Sequence, residues 1–149
     1  MKARLVVAAL LTWVGPALAR ADTMSGHVAY GAPDGLSAGL SFVLGQDDHF
    51  FDSKWGSHGT VVQFSAGTSG ARASLGKGGV SLATIGYSIK GTALWTWGTP
   101  QIGPPGAVYV GAEIQGSCLG RVSLGILKSV SGPSSTPALI LTGTIGLGF

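Results

Sequence analysis

The 149-residue chain carries 26 glycines, is 45% hydrophobic and only 10% charged, and has a net charge of +3. Soluble domains carry about 25% charged residues, so a surface wetted on every side is a poor fit. Glycine at this density disfavours a helical fold, and the length suits one domain.

Lys2 and Arg4 precede an apolar run from Leu5 to Val14, and Ala19-Arg20-Ala21 fits a small-residue cleavage site. A secretory signal peptide is therefore predicted over residues 1–21, with Ala17-Leu18-Ala19 as the second cleavage choice. The apolar run is too short to span a bilayer comfortably, and no cysteine follows the site to take a lipid anchor. A single domain is predicted over residues 22–149. In it Lys54, Arg72, Lys77, Lys90, Arg121 and Lys128 balance Asp22, Asp34, Asp47, Asp48, Asp52 and Glu113. The basic surplus belongs to the signal, so nothing in the charge points to nucleic acid. No later stretch is apolar enough for a transmembrane helix.

The rest of the chain alternates with a period of two, the signature of strands with two unlike faces. Val28, Tyr30 and Ala32 begin the series, and Pro33-Asp34-Gly35 turns it. Leu36 to Leu44 alternates next, and the segment from Gly45 to Ser57 breaks the pattern. Thr60 to Ala66 leads into a turn at Gly67-Thr68-Ser69-Gly70, and Ala71 to Gly76 into a turn expected at Lys77-Gly78-Gly79. The longest run spans Ala83 to Trp97, with its Trp pair expected near an interface. A loop with three prolines follows from Thr99 to Gly106. Val108 to Gln115 and Arg121 to Ile126 form a hairpin expected to centre on Ser117. Ser129 to Pro137 is a loop, and Ala138 to Phe149 is the last strand. A rival register drops the first strand and breaks the long run at Ser88 to Gly91.

In the last strand Leu139, Leu141, Ile145, Leu147 and Phe149 share one face, opposite mainly Thr, Gly and Ala. This resembles the C-terminal insertion signal of bacterial outer-membrane β-barrels, in which a terminal Phe closes an alternating strand. The resemblance covers about a dozen residues. It implies an all-β fold, an antiparallel up-and-down β-barrel of about eight strands, located in the outer membrane of a Gram-negative cell. Leu141, Ile145, Leu147 and Phe149 would be the assembly signal read by the barrel-assembly machinery, and outer-membrane lipid would be the other partner. Single-chain barrels have even strand numbers from eight upward, and eight strands leave an interior that side chains can fill.

Arg72, Lys90, Glu113 and Arg121 all fall on the polar face. Inside a small barrel such charges are costly unless paired, so a lumenal charge network is expected. Glu113 and Arg121 would be its central bridge if the hairpin turns at Ser117. The densest polar cluster, Asp47, Asp48, His49, Asp52 and His58, holds candidate ligands for Ca²⁺ or Zn²⁺. It matches no metal-binding spacing, so a solvated loop with aromatic anchors is the expectation and no cofactor is predicted. Cys118 is alone and without an internal disulfide partner; a small buried or turn residue is expected there.

A role at the envelope that is structural, adhesive or based on loop-mediated binding follows, and no catalytic residues are predicted. One alternative is a membrane-embedded lipid hydrolase, which needs a Ser beside an activating His; no G-x-S-x-G elbow is present. The other is a soluble periplasmic Gly-rich β-domain, which would bury the apolar stripe between sheets. The segment from Pro105 to Ala112 weakly resembles small exported proteins of that kind.

Overall fold

A computed structural model describes residues 21–45, 56–81 and 85–148. Among these residues eight antiparallel strands close into a barrel in sequence order. They are β1 Ala21–Ala32, β2 Gly35–Leu44, β3 Gly56–Gly67, β4 Gly70–Ser81, β5 Ile85–Thr96, β6 Val108–Cys118, β7 Gly120–Ser131 and β8 Leu139–Gly148. The ring closes where β1 pairs with β8, from His27 opposite Gly148 to Ala32 opposite Gly143. All eight predicted strands are present, β1 is retained and the long run in β5 is unbroken. The predicted boundary at residue 21 adjoins residues outside those described.

Each strand shows one buried face and one exposed face because the pleat alternates side chains. In β5 the outward residues include Ile85, Tyr87, Ile89 and Trp95, and the inward ones Ser88, Lys90, Thr92, Leu94 and Thr96. Leu40, Val110, Leu124 and Leu141 point outward, and Ser41, Ser88, Ser123 and Thr142 point inward, as their parity predicts. Phe42 shares the parity of Leu40 yet is buried. Most of the strands' Ser, Thr and network charges face in and most of the large aliphatics face out.

Two local expectations are corrected. Lys77, Gly78 and Gly79 do not turn the chain but continue β4, paired with Ile89, Ser88 and Tyr87. The glycines serve close strand approach instead of a bend. A Cβ on Gly78 would lie 2.3 Å from the Tyr87 carbonyl oxygen, and one on Gly76 2.0 Å from that of Ile89. Gly76→Ala is therefore expected to destabilise the barrel by about 1–3 kcal/mol, the usual range for overpacking. Urea titration in detergent would check this, with Gly116→Ala, where a Cβ meets nothing within 4 Å, as the mild control.

The β6–β7 hairpin turns at Leu119, not Ser117. Cys118 pairs with Gly120, Ser117 with Arg121, and Glu113 with Gly125. Leu119 sits at φ 59°, a conformation in which non-glycine residues are uncommon, so no residue there announced the turn. The shift leaves both strands' faces unchanged but moves Arg121 four positions along its partner strand. The expected Glu113–Arg121 opposition is therefore wrong.

The barrel has two unlike ends. One carries both described chain ends and the Leu119 turn. The other, here the far end, carries the turn between β1 and β2, the turn between β3 and β4, and the longer connections 97–107 and 132–138. At the far end the lumen is filled by Leu94, Ala107, Tyr109, Leu127 and Ile140, with Ile102 packed against them. Thr96 anchors the 97–107 loop. Its hydroxyl donates to the Pro104 carbonyl at 2.8 Å, and its backbone N–H donates to the Ala107 carbonyl at 3.0 Å. Trp97 N–H donates to the Ser69 carbonyl, and Gln101 Nε2 donates to Tyr30 Oη at 2.7 Å. Tyr30 lies on β1, remote in the ring from β5 and β6, so the loop reaches across the mouth.

Candidate functional site: the lumenal charge network

The inward faces of six strands and one turn converge on a continuous polar chain. Asp34 comes from the β1–β2 turn, and its carboxylate is only 2% exposed. Arg72, on β4, grips it with two parallel bonds, Nε to Oδ2 at 3.0 Å and Nη2 to Oδ1 at 2.7 Å. The planar fork of guanidinium suits this bidentate geometry. The remaining arm of Arg72, Nη1, donates to Glu113 Oε2.

Glu113, on β6, is directly opposite Lys90 in the β5–β6 ladder. Lys90 Nζ lies 3.0 Å from Glu113 Oε1, within ion-pair range. The same ammonium donates to Gln63 Oε1 at 2.6 Å and to Gln115 Oε1 at 2.7 Å. Gln63, on β3, passes the network to β1, where its Nε2 lies 3.2 Å from His27 Nε2. An amide NH₂ can only donate, so His27 Nε2 accepts and the ring proton sits on Nδ1. Nδ1 faces Ser41 Oγ at 3.5 Å. This tautomer follows from the hydrogen-bond pattern.

The network contains three of the four residues predicted for the lumen. Arg72, Lys90, Glu113 and Arg121 are all lumenal and at most 5% exposed. Arg72, Lys90 and Glu113 are joined, and Glu113 has Arg72 and Lys90 as its partners rather than Arg121. Asp34 and Gln63 were missed as members. Asp34 read as a turn residue, although a Pro-Asp-Gly turn at the mouth of a closed barrel can aim its carboxylate inward. The inward parity of Gln63 and Gln115 was the signal available for those two.

Of the loop cluster, Asp47, Asp48, His49 and Asp52 lie outside the described residues. His58 is half-buried on β3 and meets the Tyr87 ring edge-on, with centroids 5.6 Å apart. Among the described residues no group of three or more His, Cys, Asp or Glu side chains is placed to hold a metal ion. Cys118 is exposed beside the Leu119 turn, not buried. Leu141, Ile145 and Leu147 point outward from β8, and Phe149 lies outside the described residues.

The contact between Ser41 and His27 faces the lumen. The Nδ1 proton occupies the ring nitrogen nearest Ser41, so that nitrogen cannot take a proton from the hydroxyl. A base acting on Ser41 would need the opposite tautomer, which the Gln63 amide opposes.

No protein family model, no curated protein and no solved structure matches the chain.

Proposed function

We propose that this chain is a small, non-enzymatic outer-membrane β-barrel with a sealed lumen. Its role is structural or adhesive at the cell envelope, exercised through the loops of its far end. One observation carries this reading: the barrel is apolar outside and charged inside. Met24, Leu75, Ile89, Leu124, Ile126, Leu141 and Leu147 are each more than half exposed, whereas Arg72, Lys90 and Glu113 are enclosed. Exposed apolar area costs about 25 cal/mol per Å² in water, and a continuous belt of it far exceeds what soluble monomers carry. Hydrocarbon removes that cost. A closed barrel also leaves no strand edge unpaired, which lipid demands.

Aromatic placement supports the same reading. Tyr30, Trp95 and Trp97 ring the far end, the two Trp rings packed edge-on at 5.4 Å. Tyr87 sits toward the other end of β5. Eight residues separate Tyr87 from Trp95, about 26 Å along the strand at roughly 3.3 Å per residue. At the usual tilt of about 35–45° that is roughly 20 Å of height, comparable to the apolar band of about 25 Å that aromatic girdles flank in membrane barrels. A lumen filled by Tyr109, Leu127 and the ion network gives structure, not conduction.

Cell fractionation tests the location. The protein is expected in the outer-membrane fraction and to migrate differently in detergent gels before and after heating. Release by osmotic shock as a soluble species would favour the periplasmic β-domain instead. Deleting Phe149 is expected to leave export intact and to deplete the heat-modifiable membrane form, checked in the same fractions. Unchanged assembly would remove Phe149 from the signal.

A further inference from the structure

Tyr109 is fully buried at the far end of the lumen, yet its hydroxyl has no hydrogen-bond partner. A buried donor left unmet penalises the state that buries it. The cover is the 97–107 loop. Gly103 lies against the phenol, and a Cβ there would stand 2.4 Å from Tyr109 Oη and 3.3 Å from its Cζ. Gly103 also holds φ 79°, which suits glycine. The loop therefore closes over Tyr109 through a residue that has no side chain.

The loop is built as a stiff strap between two pivots. Gly98 at φ 58° and Gly106 at φ 79° stand near its ends, and a Cβ on Gly106 would meet nothing within 4 Å. Pro100, Pro104 and Pro105 lie between them and hold φ fixed. The base is fastened to the barrel. Trp97 N–H donates to the Ser69 carbonyl at 2.9 Å, Gly106 N–H to the Thr96 carbonyl at 2.8 Å, and Ser69 Oγ to the Thr99 carbonyl at 3.1 Å. The Thr96 hydroxyl that holds Pro104 has the Ala107 carbonyl, at 3.2 Å, as a second acceptor. The tip is held more lightly. Its bond from Gln101 to Tyr30 Oη is exposed to water, which competes for both groups. Ile102, its apolar anchor, is only partly buried against the cluster of Leu94, Tyr109, Leu127 and Ile140.

We propose that residues 98–106 form a lid, hinged at Gly98 and Gly106, that lifts from the far mouth and opens the apolar end of the lumen to water. Lifting breaks the Gln101–Tyr30 bond, withdraws Ile102 and lets water satisfy the Tyr109 hydroxyl. The Thr96 hydroxyl exchanges Pro104 for Ala107. Closing regains the apolar contacts and hides the phenol again. A few glycine torsions at the ends of a stiff segment absorb such a motion. Arg72 bonds Asp34 and Glu113 without any lid residue, so the lumen beneath stays blocked while the lid moves.

Thiol labelling of the full chain in maltoside micelles tests the lid. Cys118→Ser removes the exposed native thiol, and Ile140→Cys places a reporter in the covered cluster. The reagent is a charged, water-soluble methanethiosulfonate. Labelling without denaturant is expected, with a weak dependence on low urea, because a local opening exposes little surface. Gly103→Ala puts a methyl group against the phenol and is expected to speed labelling at least about tenfold, as overpacking of the closed state does. Gln101→Ala, which removes the tip bond, is expected to speed it about threefold. Tyr109→Phe removes the unmet hydroxyl and is expected to slow it about fivefold. Should Ile140→Cys fail to fold, Leu127→Cys on the neighbouring strand is the second reporter. Labelling that rises with urea as steeply as global unfolding, or a rate that Gly103→Ala leaves unchanged, would overturn the lid. The experiment reads out in micelles wherever the protein resides, so its failure is distinct from failure of the membrane reading.

Discussion

Glu113→Gln is expected to cost about 3–5 kcal/mol, the range for stranding a buried charge by removing its partner. Glu113 is 1% exposed and is held by Arg72 and Lys90. Neutralising it leaves the Lys90 ammonium with only amide oxygens from Gln63 and Gln115. Arg72 keeps Asp34, so the barrel should still form in mild conditions. Lys90→Gln alone also breaks the pair. The double variant should cost clearly less than the two single costs added, because neither charge is then left alone. Urea unfolding in detergent, followed by the heat-modifiable gel shift, gives all three values. Additive costs would mean that Lys90 and Glu113 do not interact.

An arginine on the outer belt is the converse experiment. Leu124→Arg places a charge where the side chain is 59% exposed on the barrel's outer face. In a bilayer this is expected to cost about 2–4 kcal/mol near the midplane, falling toward the interfaces. In water an exposed Leu-to-Arg change normally moves stability by no more than about 0.5 kcal/mol. Refolding into phosphatidylcholine vesicles against urea distinguishes the two ranges. Leu147→Arg, near the barrel rim, should be milder, since depth sets the cost.

The strands and their faces were legible because a period of two is local. Most inward Ser, Thr and charged residues from Ser37 to Thr144 alternate with outward apolar residues or glycine, and no long-range knowledge is needed to see it. Eight such runs set the strand count, and closure into a barrel was what the resemblance of the last strand implied, since a sandwich uses the same alternation. What depended on turn geometry was less accessible. Lys77-Gly78-Gly79 reads as a turn because glycine serves both bends and close strand approach, and sequence does not say which. The hairpin at Leu119 carries no turn residue at its centre, so register slipped to the nearest Gly-Ser pair. That slip kept the faces but misassigned the partner of Glu113.

The site itself was half legible. Parity placed Arg72, Lys90, Glu113 and Arg121 together in the lumen. It did not supply their partners, because Arg72 meets Asp34 and Glu113 across the barrel rather than along a ladder. Those contacts span 38 and 41 residues of chain. Lys90 and Glu113 are ladder neighbours, but the loop between β5 and β6 set a register that counting alone does not give. The acidic cluster drew attention through density, yet the charges that organise the described structure are spaced singly, one to a strand or turn.

The inside-out arrangement is tested most directly by spin labels in a lipid bilayer. With Cys118→Ser as background, a nitroxide is attached at Leu124→Cys on the outer belt and, separately, at Ser134→Cys in the 132–138 loop. Collision rates with oxygen, which concentrates in lipid, and with a nickel chelate, which stays in water, are then compared. The label at position 124 is expected to favour oxygen strongly and the label at 134 to favour nickel. Equal, nickel-dominated collision rates at both positions would place the outer face in water and contradict the membrane barrel.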